Sequence, residues 1–303
     1  MTALSERMKK FLSGVLPKRE YDSLARLSRP LRSGKRDPLL QLKQAIKSGA
    51  VSDTALLQLK NSINVTGKMD YARADIFLHV DSIIEHETRL HSCQKEPDTV
   101  QWIEDTMKPG DVFYDVGANV GAYSLVAAKC FAGEVKVYAF EPAFLNFSQL
   151  CRNLSLNNCQ DTVFPLSVAL SDQTTIGAFN YHDLVPGGSL HTFGEAVDYT
   201  GQTFTPVFKQ TMLSYRLDDL IDQFKTPKPT HIKIDVDGIE KAVLEGAINT
   251  LSDSSLRTVI VELEAGQGER EITELLLGCG LKLDSQHKRW TPGMLNCIFI
   301  RQS

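Results

Sequence analysis

One apolar stretch of this 303-residue chain ends in a turn whose residue types and spacing suit ligand binding. It reads Asp111-Val-Phe-Tyr-Asp115-Val-Gly117-Ala-Asn119-Val-Gly121, and a helical pattern of small residues follows. A buried strand, a tight turn and a helix in this order form the first unit of a doubly wound α/β domain, in which ligands bind outside the carboxyl ends of the strands. The candidate ligand-binding residues of the turn are Asp115, Gly117, Asn119 and Gly121.

The chemistry of this turn favours a cationic ligand without a phosphate. Its Gly-x-x-x-Gly spacing differs from the Gly-x-Gly-x-x-Gly of dinucleotide-binding domains, and it lacks the Gly-Lys-Ser/Thr of a phosphate-binding loop. An acid that closes the strand suits positive charge, and S-adenosylmethionine carries an ammonium and a sulfonium. We therefore predict S-adenosylmethionine as the cofactor. The alternative is a tight turn that binds nothing, as in other α/β proteins.

A second acid stands where a ribose contact is expected. The apolar run Val135–Phe140 predicts the next buried strand, and Glu141 closes it, 20 residues after Gly121. At this spacing, an acid on the second strand of a nucleotide-binding unit accepts hydrogen bonds from ribose hydroxyls. We predict this role for Glu141. The alternative is a helix cap at the Glu141-Pro142 corner.

The remaining pattern predicts a mostly parallel sheet. Apolar runs at 163–170, 231–234 and 257–261 alternate with helical segments, and this alternation is typical of a doubly wound sheet with right-handed crossovers. Two runs at 282–287 and 294–300, separated by Pro292-Gly293, predict a terminal antiparallel hairpin. The segment at about 174–212 breaks the rhythm and predicts an inserted hairpin or lid. Four of the apolar runs end on a carboxylate: Asp115, Glu141, Asp235 and Glu262.

The composition is that of a soluble globular protein, with 42% hydrophobic and 23% charged residues. No apolar run is long enough to span a bilayer. The six cysteines include no Cys-x-x-Cys pair, so neither a zinc site nor a disulfide framework is indicated. We predict reduced thiols and a cytoplasmic location.

Three motifs together resemble the FkbM family of S-adenosylmethionine-dependent methyltransferases. They are Asp115-Val-Gly-Ala-Asn-Val-Gly121, Phe140-Glu-Pro142 and Ile234-Asp-Val-Asp-Gly-Ile-Glu240. The last motif is followed by Leu244-Glu-Gly246, and Lys95-Glu-Pro97 also looks like the family's approach to its first motif. Position 237 is Asp where the family often has Glu. The resemblance covers roughly residues 72–303 and implies a class I, Rossmann-like three-layer sandwich around a seven-stranded sheet.

The resemblance also implies roles for individual residues. The turn after the first strand would hold the methionine end of the cofactor, and Glu141 its ribose. Ala169 and Leu170 would border the adenine. Glu96 would reach the amino group of the cofactor, although a helix cap explains it equally well. The implied reaction is methyl transfer to a hydroxyl oxygen, often on a sugar, glycan or other small molecule.

The catalytic group is predicted from position. Asp235 ends the strand expected beside the reactive methyl, so it is the first candidate to orient or deprotonate the acceptor hydroxyl. Partial burial would raise its pKa and make it a better base. Asp235, Asp237 and Glu262 are oxygen ligands that magnesium could use, but Asp237 also suits a helix cap, and no metal is expected. His182 and His191, in the insert, are the alternative bases.

The first 50 residues hold 12 Lys+Arg against 4 Asp+Glu, whereas the rest hold 21 against 33. We predict a basic, partly helical extension over residues 1–71, with an amphipathic helix in 1–16, a linker over 17–38, and two further helices. The methyltransferase domain would span 72–303. The basic extension suits an acidic partner or an anionic surface, or it is simply solvated. The sequence leaves the oligomeric state open.

Two other functions fit the same residues. An RNA ribose methyltransferase would use the cofactor site with the basic extension as an RNA clamp, and its binding would depend strongly on salt. A non-catalytic partner subunit would bind the cofactor without turnover.

Overall fold

The computed structural model describes Lys18 and residues 38–197, 201–289 and 291–301. The chain forms two compact units, Met1–Val65 and Thr66–Ser303. The helix predicted within residues 1–16 lies outside the described residues, as does most of the predicted linker. The predicted division at 71/72 falls just inside the second unit, and its functional meaning stays a prediction.

The first unit contains two short helices, α1 (Pro38–Lys47) and α2 (Asp53–Ser62). Ser52 caps α2, because its side chain accepts a hydrogen bond from the Ala55 amide, as its position before the apolar pattern predicts. Ala45, Val51 and Ala55 form the small core of this unit. Leu39, Leu40, Leu57 and Ile63 stay exposed.

The second unit is built on the predicted sheet. Its seven strands lie in the order β12-β13-β11-β10-β3-β4-β5. The five strands from β11 to β5 are parallel, and β13 and β12 complete the sheet as an antiparallel hairpin. Their bounds are β3 (Val112–Val116), β4 (Lys136–Phe140), β5 (Val163–Leu166), β10 (His231–Ile234), β11 (Thr258–Glu264), β12 (Leu281–Lys288) and β13 (Met294–Arg301).

Helices cover both faces of this sheet, since its central strands are apolar on both sides. One face packs against α5, α6 and α7, whose buried residues include Ile103, Leu125 and Leu150. The other packs against α8 to α11, with Leu244 and Leu276 in its core. The helices are α3 (Ile83–Glu87), α4 (Ser92–Lys95), α5 (Pro97–Thr106), α6 (Ala122–Cys130), α7 (Phe144–Leu156), α8 (Leu217–Phe224), α9 (Glu240–Glu245), α10 (Ile248–Ser252) and α11 (Gln267–Gly278). The predicted three-layer α/β fold is confirmed.

The prediction of one continuous strand over 163–170 is wrong. The chain leaves the large sheet after Leu166, and Ala169–Leu170 forms a separate strand, β6, that pairs with Ser214–Tyr215. This exchange is possible because β5 is an edge strand, so its outer side has no neighbour to hold the chain in register. It places Ala169 and Leu170 beyond the end of the large sheet.

The predicted insert forms a second sheet with the order β6-β9-β7-β8. Strands β7 (Thr175–Tyr181) and β9 (Phe208–Tyr215) pair antiparallel, and β8 (Thr192–Phe193) adds to β7. Strand β1 (Thr66–Lys68), which was missed from the sequence, pairs antiparallel with β2 (Phe77–His79), which lies within the strand-like run at 76–80, and the two form a small hairpin. No helix in the described part of the chain combines the length and apolar character that a membrane span needs.

At Gly117, the backbone of the turn after β3 packs closely against the backbone at the end of β10. The φ of Gly117 is +82°, and a Cβ built there would lie 1.8 Å from the Asp235 carbonyl oxygen. Gly110 has a similar φ of +89°, but no atom lies within 4 Å of a Cβ built there. A substitution at Gly110 therefore measures the cost of the backbone conformation without a steric clash.

We expect Gly110→Ala to lower the free energy of unfolding by about 1–2 kcal/mol, the cost of a left-handed conformation for an L-residue. Gly117→Ala should cost about 1–3 kcal/mol more, since backbone must move to admit the methyl. Urea denaturation of both variants measures the difference. Equal losses would show that the turn and β10 are not closely packed.

Candidate active site

The turn after β3 is held from the neighbouring strand. The amides of Gly117 and Ala118 both donate to the Phe140 carbonyl at 3.0 Å. Asn119 and Gly121 have φ values of +50° and +88°, which let the chain reverse tightly before α6. A Cβ at Gly121 would lie 2.5 Å from Leu150, so glycine also lets α7 pack closely.

Glu141 braces this turn. Its Oε2 accepts a hydrogen bond from the Asn119 amide and its Oε1 one from the Ala143 amide, both at 2.8 Å. The side chain is buried, and burial raises its pKa to about 7, against the effect of these two hydrogen bonds. Each carboxylate oxygen keeps a second lone pair, so contact with ribose hydroxyls is compatible with the brace. The side chain also lines a cleft at the sheet edge.

This apolar cleft lies between the turn and the insert. Its walls come from the ends of β3 and β4, from β6 and from β7, and Asn119 and Glu141 lie on one side. Its apolar lining includes Phe140, Val168, Ala169, Leu170, Phe179 and Ile239. This apolar lining is compatible with a purine base, and the adenine contact of Ala169 and Leu170 stays a prediction.

A second, polar cleft adjoins it. The two share Gly117, Asn119, Ser189, Asp235 and Asp237. The polar cleft is lined further by Arg89, Lys95, Leu190, Glu262, Arg289, Thr291 and Met294. The structure therefore brings Asp235 to the junction of an apolar and a strongly charged cleft.

A buried lysine, Lys233, keeps the Asp235 carboxylate charged. Lys233 Nζ lies 2.9 Å from Asp235 Oδ2 and 3.9 Å from Asp115 Oδ1, and 5.1 Å from the centre of the Tyr123 ring. Burial alone would raise the pKa of Asp235, but the charges of Lys233 and Arg289 outweigh burial and lower it. The prediction that burial raises this pKa is therefore wrong. Asp235 is a fixed carboxylate and a weak base.

Asp115 lies below the clefts. Its side chain is fully buried, with Oδ2 accepting a 2.6 Å hydrogen bond from Ser124 Oγ. Its Oδ1 has no hydrogen-bond partner among the described residues, and burial raises the pKa of Asp115 despite Lys233 nearby. Asp115 lines neither cleft. The direct contact of Asp115 with the cofactor stays a prediction. In the structure, Asp115 forms an ion pair with Lys233.

At the other end of the polar cleft, Arg289 forms ion pairs with two acids. It pairs with Glu96 through Nη2 at 2.6 Å and with Glu262 through Nε at 2.5 Å. Burial and the charge of Asp235 raise the pKa of Glu262. Glu96 is buried, precedes α5 without capping its backbone, and also accepts from Thr99 at 3.2 Å. Like Asp115, Glu96 lines neither cleft, and its contact with the cofactor stays a prediction.

A loop of the insert, Pro186–Leu190, closes over the junction. Asn119 Nδ2 and Asn146 Nδ2 both donate to the Gly188 carbonyl, at 2.8 and 3.0 Å. The Leu190 amide donates to Asp237 Oδ2 at 2.6 Å. Asp237 and Leu190 both have left-handed backbone conformations, with φ of +56° and +66°. Asp237 thus ties the insert to the end of β10, and whether the loop opens as a lid stays a prediction.

A family model described as the methyltransferase FkbM domain matches residues 115–297. This match covers more than half of the chain. The chain belongs to the FkbM methyltransferase family.

Two proteins of similar sequence are named as methyltransferases, in agreement with this assignment. The hexuronic acid methyltransferase AglP of Haloferax volcanii is 28% identical over 193 residues, which cover 64% of this chain and 72% of AglP. The 31-O-demethyl-FK506 methyltransferase FkbM of Streptomyces tacrolimicus is also 28% identical, over 57% of this chain and 74% of its own. A precorrin-6y C5,15-methyltransferase from Geobacter metallireducens has a TM-score of 0.43 at 10% identity, covering 69% of this chain and 87% of that one.

The two histidines lie apart from the polar cleft of this FkbM methyltransferase. His191 lines the apolar cleft beside the Tyr181 ring, 5.0 Å away, and burial lowers its pKa. Its Nδ1 accepts from the His182 amide at 3.2 Å, so the neutral ring carries its proton on Nε2. His182 lines neither cleft. Their roles as alternative bases stay predictions, without support from these positions.

Sequence reasoning missed the two cations that set the charge of the site. Lys233 had a signal, because a lysine inside the apolar run His231–Ile234 must find a buried partner. Arg289 had none, since its partner Glu96 lies 193 residues earlier. Among the described residues, no group of three or more His, Cys, Asp or Glu is arranged to hold a metal ion.

Cofactor affinity should depend on pH through Glu141. Ribose hydroxyls donate to the ionised carboxylate, so binding favours that form, and a group with a pKa of about 7 must lose a proton at lower pH. We expect affinity for S-adenosylhomocysteine to rise as pH increases from about 6 to 8 and then level off. Glu141→Gln should bind about 1–3 kcal/mol more weakly at high pH.

Calorimetry across this pH range tests the assignment. The Gln variant should lose most of the pH dependence of cofactor affinity. A small part should remain, because neighbouring acids such as Asp237 titrate in both proteins. Parallel pH profiles in the two proteins would remove Glu141 from the ribose site.

Removing Lys233 should destabilise the fold in a pH-dependent way. Lys233→Met leaves buried Asp115 and half-buried Asp235 without their cation, and loss of one partner costs about 3–5 kcal/mol in fully buried pairs. Protonation of those acids relieves the cost, so the loss should be larger at pH 7 than under acid conditions. Urea denaturation at several pH values measures it. Lys241→Met, which removes an exposed ion-paired lysine, is the control. A loss that is the same at every pH would mean that packing alone is affected.

Proposed function

We propose that this FkbM methyltransferase transfers a methyl group from S-adenosylmethionine to a hydroxyl oxygen of a sugar, a glycan or another polar small molecule. The observation that carries the proposal is the junction at Asp235. An apolar cleft that suits the nucleoside meets there a polar cleft that suits a hydroxyl-rich acceptor.

The lining of the polar cleft supports a carbohydrate over an apolar acceptor. Among the described residues that line it, Leu190 and Met294 alone have large apolar side chains. Charged and hydroxyl groups line most of the remainder, and they can pair with several sugar hydroxyls at once. A relative named as a hexuronic acid methyltransferase is consistent with such an acceptor.

The residues also suit the cofactor. Gly117 lines both clefts and lets the turn after β3 pack against the Asp235 carbonyl, and Asp235 and Asp237 provide negative charge at the junction. Bound there, S-adenosylmethionine supplies a methyl group activated by its sulfonium. The acceptor oxygen would take that methyl as the carbon–sulfur bond breaks, and its hydroxyl proton would pass to the Asp235 carboxylate.

Asp235 would orient the acceptor rather than ionise it beforehand. Lys233 keeps its carboxylate charged and fixed, so that it accepts a hydrogen bond from the acceptor hydroxyl. The hydroxyl proton becomes strongly acidic only as the new carbon–oxygen bond forms. A weak base is therefore sufficient, provided that it is already in contact with that proton. Closure by Pro186–Leu190 would exclude water that competes as acceptor.

A screen with labelled S-adenosylmethionine tests the function. The acceptors are free sugars, uronic acids, nucleotide sugars, glycans and RNA. Label transfer to a sugar hydroxyl, located by mass spectrometry, is the expected result. Transfer only to RNA, with strong salt dependence, would replace the proposal by ribose methylation. Cofactor binding without transfer to any acceptor would favour a non-catalytic subunit.

With an acceptor in hand, Asp235→Asn tests the mechanism. The amide keeps the size of the side chain but loses its charge and its ability to take the proton. We expect turnover to fall by roughly 10²–10⁴-fold, the range typical of a catalytic acid or base, with most cofactor affinity retained. Asp222→Asn, on the exposed side of α8, is the matched control. Full activity of the Asp235 variant would show that another group takes the proton.

A further inference from the structure

Two cations on the rim of the polar cleft are not explained by the chemistry at Asp235. Arg89 and Lys95 come from the segment before α5, and both line the polar cleft. Nε and Nη2 of Arg89 donate to the Gly187 carbonyl at 3.1 and 2.6 Å, which fixes the guanidinium. Arg89 makes no ion pair with any residue that the structure describes. Lys95 lies 3.4 Å from Glu96 and is 33% exposed.

The other cations of the cleft are already neutralised. Lys233 is engaged by Asp235 and Asp115, and Arg289 by Glu96 and Glu262. Because Glu96 is shared with Arg289, it does not fully compensate Lys95. Arg89 and Lys95 therefore carry positive charge that is less fully paired than that of Lys233 and Arg289, and Asp237 is the acid of the same lining on which they act.

This charge faces the interior of the clefts. Burial and Asp235 raise the pKa of Asp237 to about 6, while Arg89 and Lys95 act on it in the opposite direction. Arg89 also acts to lower the pKa of Glu141, across the apolar cleft. Both cations thus lie close enough to interact with a ligand at the junction. Nη1 of Arg89 makes no hydrogen bond within the described part of the chain, so it can donate to such a ligand.

We propose that Arg89 and Lys95 form a carboxylate-binding site in the polar cleft. This inference rests on the proposed function and names what the rim recognises. A carboxylate would accept from Arg89 Nη1 and from the ammonium of Lys95, and charge-assisted bonds of this kind are stronger than neutral ones. It has two sources: the amino-acid end of the cofactor, or an acidic acceptor such as a uronic acid.

The first arm of the test varies only the carboxylate of the cofactor. Binding of S-adenosylmethionine and of decarboxylated S-adenosylmethionine is measured by calorimetry for the wild type, Arg89→Gln, Lys95→Gln and the double variant. If the cofactor supplies the carboxylate, the wild type should prefer the intact cofactor by roughly 10-fold or more, and the double variant should show almost no preference. Lys241→Gln, with an exposed lysine, should keep the wild-type ratio.

The ratio of the affinities for intact and decarboxylated cofactor distinguishes loss of carboxylate recognition from a general disturbance of the site. Arg89 also holds the Gly187 carbonyl, so its loss can disturb the loop and weaken both ligands equally. Within the described residues, Lys95 makes no hydrogen bond or ion pair with that loop, so Lys95→Gln gives an independent reading. Only a selective loss of the intact cofactor supports the site.

The second arm varies the acceptor. Binding of methyl β-glucuronide and methyl β-glucoside to the protein saturated with S-adenosylhomocysteine is compared by NMR. If the acceptor supplies the carboxylate, the wild type should prefer the glucuronide, and the double variant should lose that preference while its cofactor ratio stays unchanged.

Unchanged ratios in the first arm, together with no preference for the glucuronide in the second, would overturn the proposal. Such a result leaves the proposed function intact, provided that the wild type binds cofactor and methylates a sugar in the screen. Conversely, a carboxylate preference without any sugar methylation would leave this site in place and overturn only the proposed function.

Discussion

The active site depends on one buried lysine between two carboxylates. Lys233 and Asp115 face each other across the central strands β10 and β3, and Asp235 lies two residues further along the same strand face. A buried charge is costly unless it is paired, so the lysine and the two acids fix one another's positions. Because both acids stand toward the carboxyl end of the sheet, this pairing also holds Asp235 at the junction of the two clefts.

The turn after β3 completes that constraint. Gly117 contacts the Asp235 carbonyl so closely that no side chain fits, and Glu141 holds the Asn119 amide from the next strand. Three adjacent strands therefore position their terminal acids through direct contacts. The fourth, Glu262 on β11, joins through Arg289. A displacement of any strand end would move the others, which is why a rigid parallel sheet can present several ligand contacts from distant parts of the chain.

The sequence was sufficient to predict the large sheet, because buried parallel strands are nearly continuous apolar runs. The helical pattern of small residues after Gly121 likewise forms α6. The sequence failed between Leu166 and Ala169, where the apolar character continues although the strand changes sheets. The strand-end acids could be located, but not their charge states. Those depend on Lys233 and Arg289, and the partners of Arg289 are brought to it only by the hairpin β12–β13. The sequence therefore suggested a carboxylate with a raised pKa at Asp235, where the folded protein has a lowered one.

The insert links the two clefts physically. Phe179 of its sheet lines the apolar cleft, and Ser189 of its loop lines both clefts. Asn119 and Asp237 hold that loop from the turn after β3 and from the end of β10, the two elements that also border the proposed cofactor position. A ligand that shifts either element must change the loop, and with it the wall of the polar cleft. Under the proposed function, occupation of the nucleoside side would therefore shape the acceptor side before the acceptor binds.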